Sequence, residues 1–286
     1  MEAIHFQYVK TNGVRLHTVT AGPEDGKLVI LLHGFPDFWF GWRKQILVLA
    51  AAGYKVVVPD QRGYHLSEKP TGVRPYRLNQ LKDDVIGLIQ HFKRDGATVI
   101  GHDWGGAVGW HLASTCPHVV KHLIVINIPH PAVMPKGLAA NPIQWLRSAY
   151  MFFFQLPQFP EQTLGNKNFT RLAQALQRTS RHGTFSTDEL VKYKIAWKQP
   201  GALTSMLNWY RAIPRSMTDI GKVHSVDVPT KIIWGVGDVF LSKRLAKKSL
   251  QLTKMGSGVW IGEATHWVHQ EQPSLVNEQI LKFIQS

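Results

Sequence analysis

Hydrophobic and polar positions alternate at the start of the chain, and longer hydrophobic runs follow. Segments 4–10 and 14–20 alternate around Asn12-Gly13, a pair that favours a type I′ turn, so we expect an antiparallel hairpin. The next run, Lys27–Leu32, is almost entirely apolar, as in strands buried on both faces. The pattern predicts a sheet that opens with a hairpin and continues with buried strands.

Apolar runs and helical spacing then alternate along the chain. The apolar runs predict further strands over residues 55–59, 97–100, 123–126, 230–234 and 259–261. Hydrophobic spacing predicts helices over about 42–52, 78–92 and 242–250, and a last helix from Pro273. This alternation is typical of an α/β fold, a mostly parallel sheet with helices on both faces.

The alternation stops between about residues 129 and 229. This interval is rich in aromatic residues, prolines and helical patches, including 145–154 and 188–197. We interpret it as a helical insertion, the cap, over residues 131–227. Residues 1–130 and 228–286 then form the core domain.

The charge balance first suggests a nucleic-acid partner, but its distribution argues against one. The 286 residues include 33 Lys and Arg against 19 Asp and Glu, a net charge of +14. The basic residues are scattered singly or in pairs, without a long basic run. Residues 131–225 hold 12 Lys and Arg and 4 Asp and Glu, which we interpret mainly as a solvated basic face.

The single cysteine, Cys116, excludes an internal disulfide and favours a reducing compartment. The first ten residues have no apolar signal region, and no apolar run approaches the length of a membrane span. We therefore expect a cytoplasmic protein with neither a secretory signal nor a membrane span.

The candidate chemistry centres on a glycine-rich turn, Gly101–Gly106, between a predicted strand and a predicted helix. This is the context of the G-x-S-x-G nucleophile elbow, with Asp103 in place of serine. A carboxylate can displace a leaving group from an sp³ carbon and form an ester that water hydrolyses. Asp103 therefore indicates epoxide opening or carbon–halogen cleavage, although the motif alone also fits a tight turn with a capping Asp.

Two more candidates follow predicted strands, whose carboxyl ends gather catalytic groups in parallel sheets. Asp238 follows strand 230–234, and His266 follows the last predicted strand. Nucleophile, acid, histidine is the chain order of the α/β-hydrolase triad. Asp227 is a weaker candidate for the acid.

The sequence resembles the soluble epoxide hydrolases of the α/β-hydrolase superfamily over nearly its whole length. The matching motifs are His33–Pro36, Arg62–Tyr64 with Leu66–Pro70, Gly101–Gly106, Ala264–Trp267, and two cap segments with a tyrosine each, Ser148–Pro157 and Asn208–Arg211. The resemblance implies the α/β-hydrolase fold with an inserted helical cap. It also implies that the chain converts an epoxide and water into a vicinal diol.

The resemblance also assigns roles to the candidates. Tyr150 and Tyr210 would polarise and protonate the epoxide oxygen, and Asp103 would attack a ring carbon. His266, oriented by Asp238, would activate the water that hydrolyses the ester.

The backbone N–H groups of Phe35 and Trp104 would form the oxyanion hole. Both residues, with the two tyrosines, would also bind substrate. No cofactor or metal is required, and the chain could be a monomer or a homodimer.

Two other functions are weighed against epoxide hydrolysis. A haloalkane-type dehalogenase uses the same Asp nucleophile, but the best-known type has Asn where this chain has Phe35. A non-catalytic ligand-binding homologue would need a broken triad, and all three positions are filled. His33 and His102 match loop-shaping positions and are expected to be structural, while the sequence offers no explanation of His65. The cap side chains Trp145, Phe152, Phe153, Phe154 and Leu156 are expected to line the pocket or to pack the cap.

Overall fold

Eight strands of the described chain form one sheet in the order β1-β2-β4-β3-β5-β6-β7-β8. The computed structural model describes residues 4–135, 137, 142–220 and 225–286. The strands are β1 His5–Thr11, β2 Val14–Ala21, β3 Lys27–Leu32, β4 Tyr54–Pro59, β5 Ala97–His102, β6 Val120–Ile126, β7 Thr230–Gly235 and β8 Gly256–Ile261. The pairs from β4 to β8 are parallel, so the predicted mostly parallel sheet is confirmed.

The predicted hairpin forms the antiparallel edge of this sheet. Strand β1 pairs with β2, and β2 pairs with β4, both antiparallel. Asn12 and Gly13 have φ values of 43° and 77°. A type I′ turn requires positive φ at both central residues, which explains why this pair connects the strands.

Helices cover both faces of the sheet. They are α1 Arg43–Ala51, α2 Leu78–His91, α3 Trp104–Thr115, α4 Pro142–Arg147, α5 Ala149–Phe153, α6 Phe159–Thr179, α7 Thr187–Trp197, α8 Ala202–Arg211, α9 Ile213–Ile220, α10 Lys243–Leu250, α11 Val268–Glu271 and α12 Pro273–Ile284. Short 3₁₀ turns lie at Trp39–Trp42, Arg74–Tyr76, Pro117–Val119 and Pro131–Val133. Within these residues, no helix is both long enough and apolar enough to cross a membrane.

Strand β3 is apolar at successive positions because a hydrophobic cluster lies on each of its two faces. Ile30 and Leu32 belong to the hydrophobic cluster under α2 and α3, whereas Val29 and Leu31 belong to the cluster under α1 and α12. Successive side chains of a strand point to opposite faces. A strand between two helical layers therefore needs hydrophobic residues on both faces.

Helices α4 to α9 lie between β6 and β7, in the interval 131–227 that the sequence assigns to the cap. The predicted helical patch 145–154 is two short helices, because the chain turns at Ser148 between α4 and α5. Helix α6 is likewise interrupted by non-helical residues at 166–169.

Two buried tryptophans connect the cap to the core. The Trp197 indole donates a hydrogen bond to the carbonyl oxygen of Pro36 (2.6 Å), and the Trp209 indole donates one to that of Arg62 (3.1 Å). A buried indole N–H needs an acceptor, and each of these finds a core loop near the carboxyl end of a strand. The cap therefore lies over the edge where catalytic groups are expected.

Helix α3 packs so closely on the sheet that its second residue has no room for a side chain. A Cβ at Gly105 would overlap the backbone carbonyl groups of Leu32 and His33. Backbone atoms of a central strand cannot move aside as a flexible side chain would. The approach of α3 to β3 therefore depends on glycine.

We expect Gly105→Ala to lower the free energy of unfolding by about 1–3 kcal/mol, the usual cost of overpacking. Gly262→Ala is the matched control, because a Cβ there meets no atom within 4 Å and the residue does not have positive φ. It should change stability by less than about 1 kcal/mol. Urea denaturation of both variants measures the difference, and equal stabilities would contradict the packing argument.

Candidate active site

Asp103 lies on the sharp turn between β5 and α3, with φ 50° and ψ −125°. Positive φ is uncommon for a residue with a side chain, and such strain clusters at functional sites. The turn points the carboxylate towards Phe35, whose backbone N–H donates to Oδ1 at 2.9 Å. Burial would raise the pKa of Asp103, but the hydrogen bond and charge of His266 outweigh it and lower the pKa. Asp103 is therefore ionised at neutral pH.

His266 lies between two carboxylates. Its Nδ1 is 2.8 Å from Oδ2 of Asp238, and its Nε2 is 3.6 Å from Oδ2 of Asp103. Burial favours the neutral ring, yet the two carboxylates together raise the pKa of His266 to about 10. The structure thus brings the three predicted triad residues together, with an imidazolium between two anions.

Asp238 is fixed by three further donors. Its Oδ1 accepts from the backbone N–H groups of Phe240 (2.7 Å) and Leu241 (3.0 Å), and its Oδ2 accepts from the Asn127 side chain (2.7 Å). Its Oδ2 also faces His266, so the ring and carboxylate are held in one orientation. Asp227 instead lies at the surface and pairs with Lys254 at 2.9 Å.

Asn127 is a site residue that the sequence reasoning missed. Its side chain also accepts from the N–H of Gly235 (2.8 Å) and donates to the carbonyl oxygen of the same residue (3.2 Å), so it joins β6 to β7. It is fully buried and has φ 47°. A polar residue directly after the predicted strand 123–126 was the available signal.

Tyr150 from α5 and Tyr210 from α8 lie next to each other in the cap. Their ring centroids are 5.9 Å apart, and the ring planes are inclined by 77°. The Tyr210 ring also makes edge contacts with Phe35 (5.3 Å) and Trp104 (5.2 Å). Burial, followed by nearby acidic groups that include Asp103, raises the pKa of both phenols. Both therefore keep their protons at neutral pH and can donate.

A cavity of about 340 Å³ adjoins four of the predicted site residues. Asp103, Trp104, Tyr150 and Tyr210 line it, and most of its other walls are apolar. The wall residue Gln155 donates its amide to the Tyr210 carbonyl oxygen at 2.9 Å, an internal hydrogen bond. The carboxylate and the two phenols are thus the polar groups best placed to meet a ligand.

The aromatic cap residues divide between the pocket, the interior and the surface. Phe152 lines the cavity, while Phe154 is buried with its ring 5.4 Å from that of Phe35. Phe153 packs on Phe159 with centroids 5.8 Å apart. Trp145 and Leu156 are about half exposed and do not line the cavity, and the Trp145 ring packs on Phe152 with centroids 5.6 Å apart.

The flanking histidines make structural contacts. Nε2 of His33 accepts from the N–H of Gln61 (3.0 Å), and Nε2 of His102 lies 2.9 Å from the carbonyl oxygen of His266. Burial lowers the pKa of His33 to about 4 and that of His102 to about 3, so both are neutral. His102 thereby supports the backbone of the catalytic candidate.

His65 has a partner that its sequence position did not reveal. Its Nδ1 is 2.8 Å from Oδ2 of Asp60, the same oxygen that His17 approaches at 2.7 Å. Asp60 is fully buried, and these hydrogen bonds and charges lower its pKa despite burial. The second histidine therefore helps to satisfy a buried carboxylate.

Two clusters of the described residues have a spacing that could hold a metal ion. One is His17, Asp60 and His65; the other is Asp37, His102 and His269, each with ligand atoms within 4.8 Å of one another. The first set already makes the hydrogen bonds described above. In the second, the Asp37 carboxylate accepts from the Tyr193 hydroxyl at 2.9 Å. Asp103 and His266 belong to neither cluster.

Comparisons with known proteins show what the chain is similar to. Residues 27–269 match the protein family described as alpha/beta hydrolase fold. The chain is 49% identical to "AB hydrolase superfamily protein YfhM" of Bacillus subtilis (strain 168) over 286 residues, all of both chains. It is 36% identical to "Epoxide hydrolase 4" of Mus musculus over 282 residues, which cover 96% of this chain and 78% of that protein.

A solved structure extends the likeness to three dimensions. An epoxide hydrolase from Bacillus megaterium, crystallised with an inhibitor, superposes with a TM-score of 0.89 at 30% identity. The superposition covers 98% of this chain and 100% of the other. The similarity in sequence and the similarity in structure therefore both extend over almost the whole chain.

Replacing Asp103 with Asn tests the electrostatics of the site. The imidazolium of His266 stabilises the fold fully below its ordinary pKa of 6.5 and loses this effect as the pH rises through about 10. Removing the Asp103 charge and its interaction with His266 should lower the pKa of His266 below about 10. NMR titration of the ring measures this shift. Asp227→Asn is the control and should leave it unchanged; an unchanged pKa in Asp103→Asn would show that the two groups are not coupled.

Proposed function

Since the chain belongs to the epoxide hydrolase family of the α/β-hydrolase superfamily, and is a hydrolase that acts on epoxides, we propose a two-step reaction through an ester on Asp103. The observation that carries this proposal is His266, whose ring faces both the candidate nucleophile and a fixed acid. A nucleophile, a base and a group that orients the base are the parts that covalent hydrolysis requires.

In the first step, the Asp103 carboxylate attacks a carbon of the epoxide ring. Its Oδ1 is held by the Phe35 N–H, which leaves Oδ2 to form the new C–O bond. The ring C–O bond breaks, and its oxygen takes a proton from Tyr150 or Tyr210. An alkoxide is a poor leaving group, and two phenols that donate to it lower the barrier.

The proton balance of this step involves His266. The phenolate that forms has a raised pKa and must regain a proton. The imidazolium supplies that proton as the ester forms, because the ester removes the charge of Asp103 that helped to raise the pKa of His266. His266 becomes neutral at the stage at which a base is needed.

In the second step, neutral His266 takes a proton from water, and the hydroxide adds to the ester carbon of Asp103. The Phe35 N–H then binds the oxyanion on Oδ1, with the Trp104 N–H as its second donor. Collapse of this intermediate breaks the bond between the ester carbon and Oδ2, and the leaving alkoxide takes the proton of the carboxylic acid that forms. The diol is released, and the Asp103 carboxylate is restored beside an imidazolium. One epoxide and one water yield one vicinal diol, with no net change in the protein.

The ester should accumulate when its hydrolysis is blocked, so we expect His266→Gln to be alkylated by styrene oxide. Intact mass should increase by the whole epoxide, and peptide mapping should place the adduct on Asp103. The double variant Asp103→Ala/His266→Gln is the control and should gain no mass. Wild-type protein should turn over without accumulating an adduct.

The His266→Gln variant also distinguishes epoxide hydrolysis from dehalogenation and from a non-catalytic binding role. A butyl adduct from 1-bromobutane, with bromide release and no epoxide adduct, would assign the site to dehalogenation. No adduct from either compound would contradict the covalent mechanism for these substrates and favour a non-catalytic binding role.

The two tyrosines should contribute mainly to ring opening. We expect Tyr150→Phe and Tyr210→Phe each to lower kcat/KM for styrene oxide roughly a hundredfold, as for loss of one donor to a developing oxyanion. Tyr8→Phe, a change at an exposed residue of β1, is the control and should have no effect. Steady-state kinetics measure kcat/KM of the three variants. Wild-type activity in both Tyr150→Phe and Tyr210→Phe would exclude the two tyrosines from proton donation.

A further inference from the structure

Large hydrophobic side chains of the cap are exposed together beside the cavity. We call Trp145, Leu146, Phe152, Leu156 and Phe159 the rim patch; their exposed fractions are 50%, 69%, 53%, 47% and 56%. They belong to α4, α5, the loop after α5 and the start of α6. Leu146 is next to Trp145 in the sequence, the Trp145 ring contacts that of Phe152, and Phe159 packs on Phe153, the neighbour of Phe152. Exposed apolar groups of this kind mark an interaction site more often than an ordinary solvated surface.

The rim patch is continuous with the cavity. Phe152 is half exposed and also lines the cavity, so it lies at the cavity mouth. The Trp145 ring contacts it with centroids 5.6 Å apart. Because the cavity walls behind Phe152 are mostly apolar, a hydrophobic ligand can pass from the rim patch to Asp103 along an apolar surface.

The surface around the rim patch is basic. Arg147, next to Leu146, is exposed. Between residues 142 and 180 the sequence has one acidic residue, Glu161, and its charge is paired with Arg211 at 2.6 Å. The remaining charges of that interval are positive.

Helix α10 adds further positive charge on this side. The side chain of Gln144 in α4 accepts from the N–H of Ser242 (3.1 Å) and donates to the carbonyl oxygen of Phe240 (2.7 Å), which holds α4 against the start of α10. Residues 239–262 contain no Asp or Glu. The basic residues of α10 are Lys243, Arg244, Lys247 and Lys248.

We propose that the rim patch docks on the surface of a membrane that contains anionic lipid, and that epoxides dissolved in the lipid enter the cavity there. Tryptophan, phenylalanine and leucine bury into the boundary between headgroups and acyl chains, while nearby Lys and Arg bind anionic headgroups. Neutral apolar epoxides, the ligands that the cavity suits, partition into the same phase. The docking does not depend on the proposed function, but the delivery of epoxide does.

Charge complementarity favours lipid over a second copy of the chain. Each copy carries a net charge of +14, so contact between two rim patches would bring like charges together. An anionic bilayer instead offers negative charge and an apolar interior at one surface.

Vesicle flotation tests the docking. We expect the wild-type protein to float with vesicles of phosphatidylcholine and phosphatidylglycerol, and to bind pure phosphatidylcholine vesicles or anionic vesicles at high salt much more weakly. Trp145→Ser/Leu146→Ser should weaken binding at least about tenfold, because both side chains lose their burial in lipid.

Val191→Ser/Ile195→Ser is the matched control. These residues of α7 are exposed by 50% and 53% but lie outside the rim patch, so their loss should leave vesicle binding unchanged. The rim double variant should keep its activity on a water-soluble epoxide without vesicles, because neither residue lines the cavity.

Three results would overturn the proposal: no vesicle binding by wild-type protein, equal binding by the rim double variant, or a dimer in solution that this variant abolishes without any vesicle binding. The solution assay reports on epoxide hydrolysis separately. If the protein hydrolyses the soluble epoxide but does not bind vesicles, the docking is disproved and the proposed function is not.

Discussion

The site depends on one buried cation held between two buried anions. His266 is 3% exposed, and its ring reaches the carboxylates of Asp103 and Asp238 from opposite sides. Burying charges is costly unless they are paired and hydrogen-bonded, so each of these groups needs further partners. The Phe35 N–H supplies one for Asp103, and Asn127 with two backbone N–H groups supplies those of Asp238.

These partners explain much of the surrounding architecture. The triad residues come from the loops after β5, β7 and β8, and Asn127 comes directly after β6. The carboxyl ends of four neighbouring parallel strands, β5 to β8, must therefore keep their register to bring these groups together. A close helix at Gly105 and hydrophobic residues on both faces of β3 provide that rigidity.

Sequence predicted the parts of the molecule that depend on local pattern. Apolar runs typical of strands buried on both faces, such as Lys27–Leu32, and the Asn12-Gly13 turn predicted the sheet. The glycine-rich turn Gly101–Gly106 indicated Asp103 as the candidate nucleophile. The break at Ser148, the support from Asn127 and the pairing of His65 with Asp60 were not predicted. Two of these features depend on partners distant in sequence: the amide of Asn127 meets Asp238 across 111 positions, and His65 shares the Asp60 carboxylate with His17, which is 43 positions from Asp60. Such pairs are decided by how strands and loops pack, which no local pattern records.

The core and the cap contribute different halves of the chemistry. In the proposed reaction, the charged residues that form and hydrolyse the ester come from the core loops, while the two phenols that would donate to the epoxide oxygen come from α5 and α8. Indole-to-carbonyl hydrogen bonds from Trp197 and Trp209 attach the helices of the cap to the core loops, and Trp209 is next to Tyr210 in α8. In evolutionary terms this is a modular arrangement. Under the proposed mechanism, substitutions in the inserted segment would change which substrates are accepted without altering the core loops that carry Asp103, Asp238 and His266.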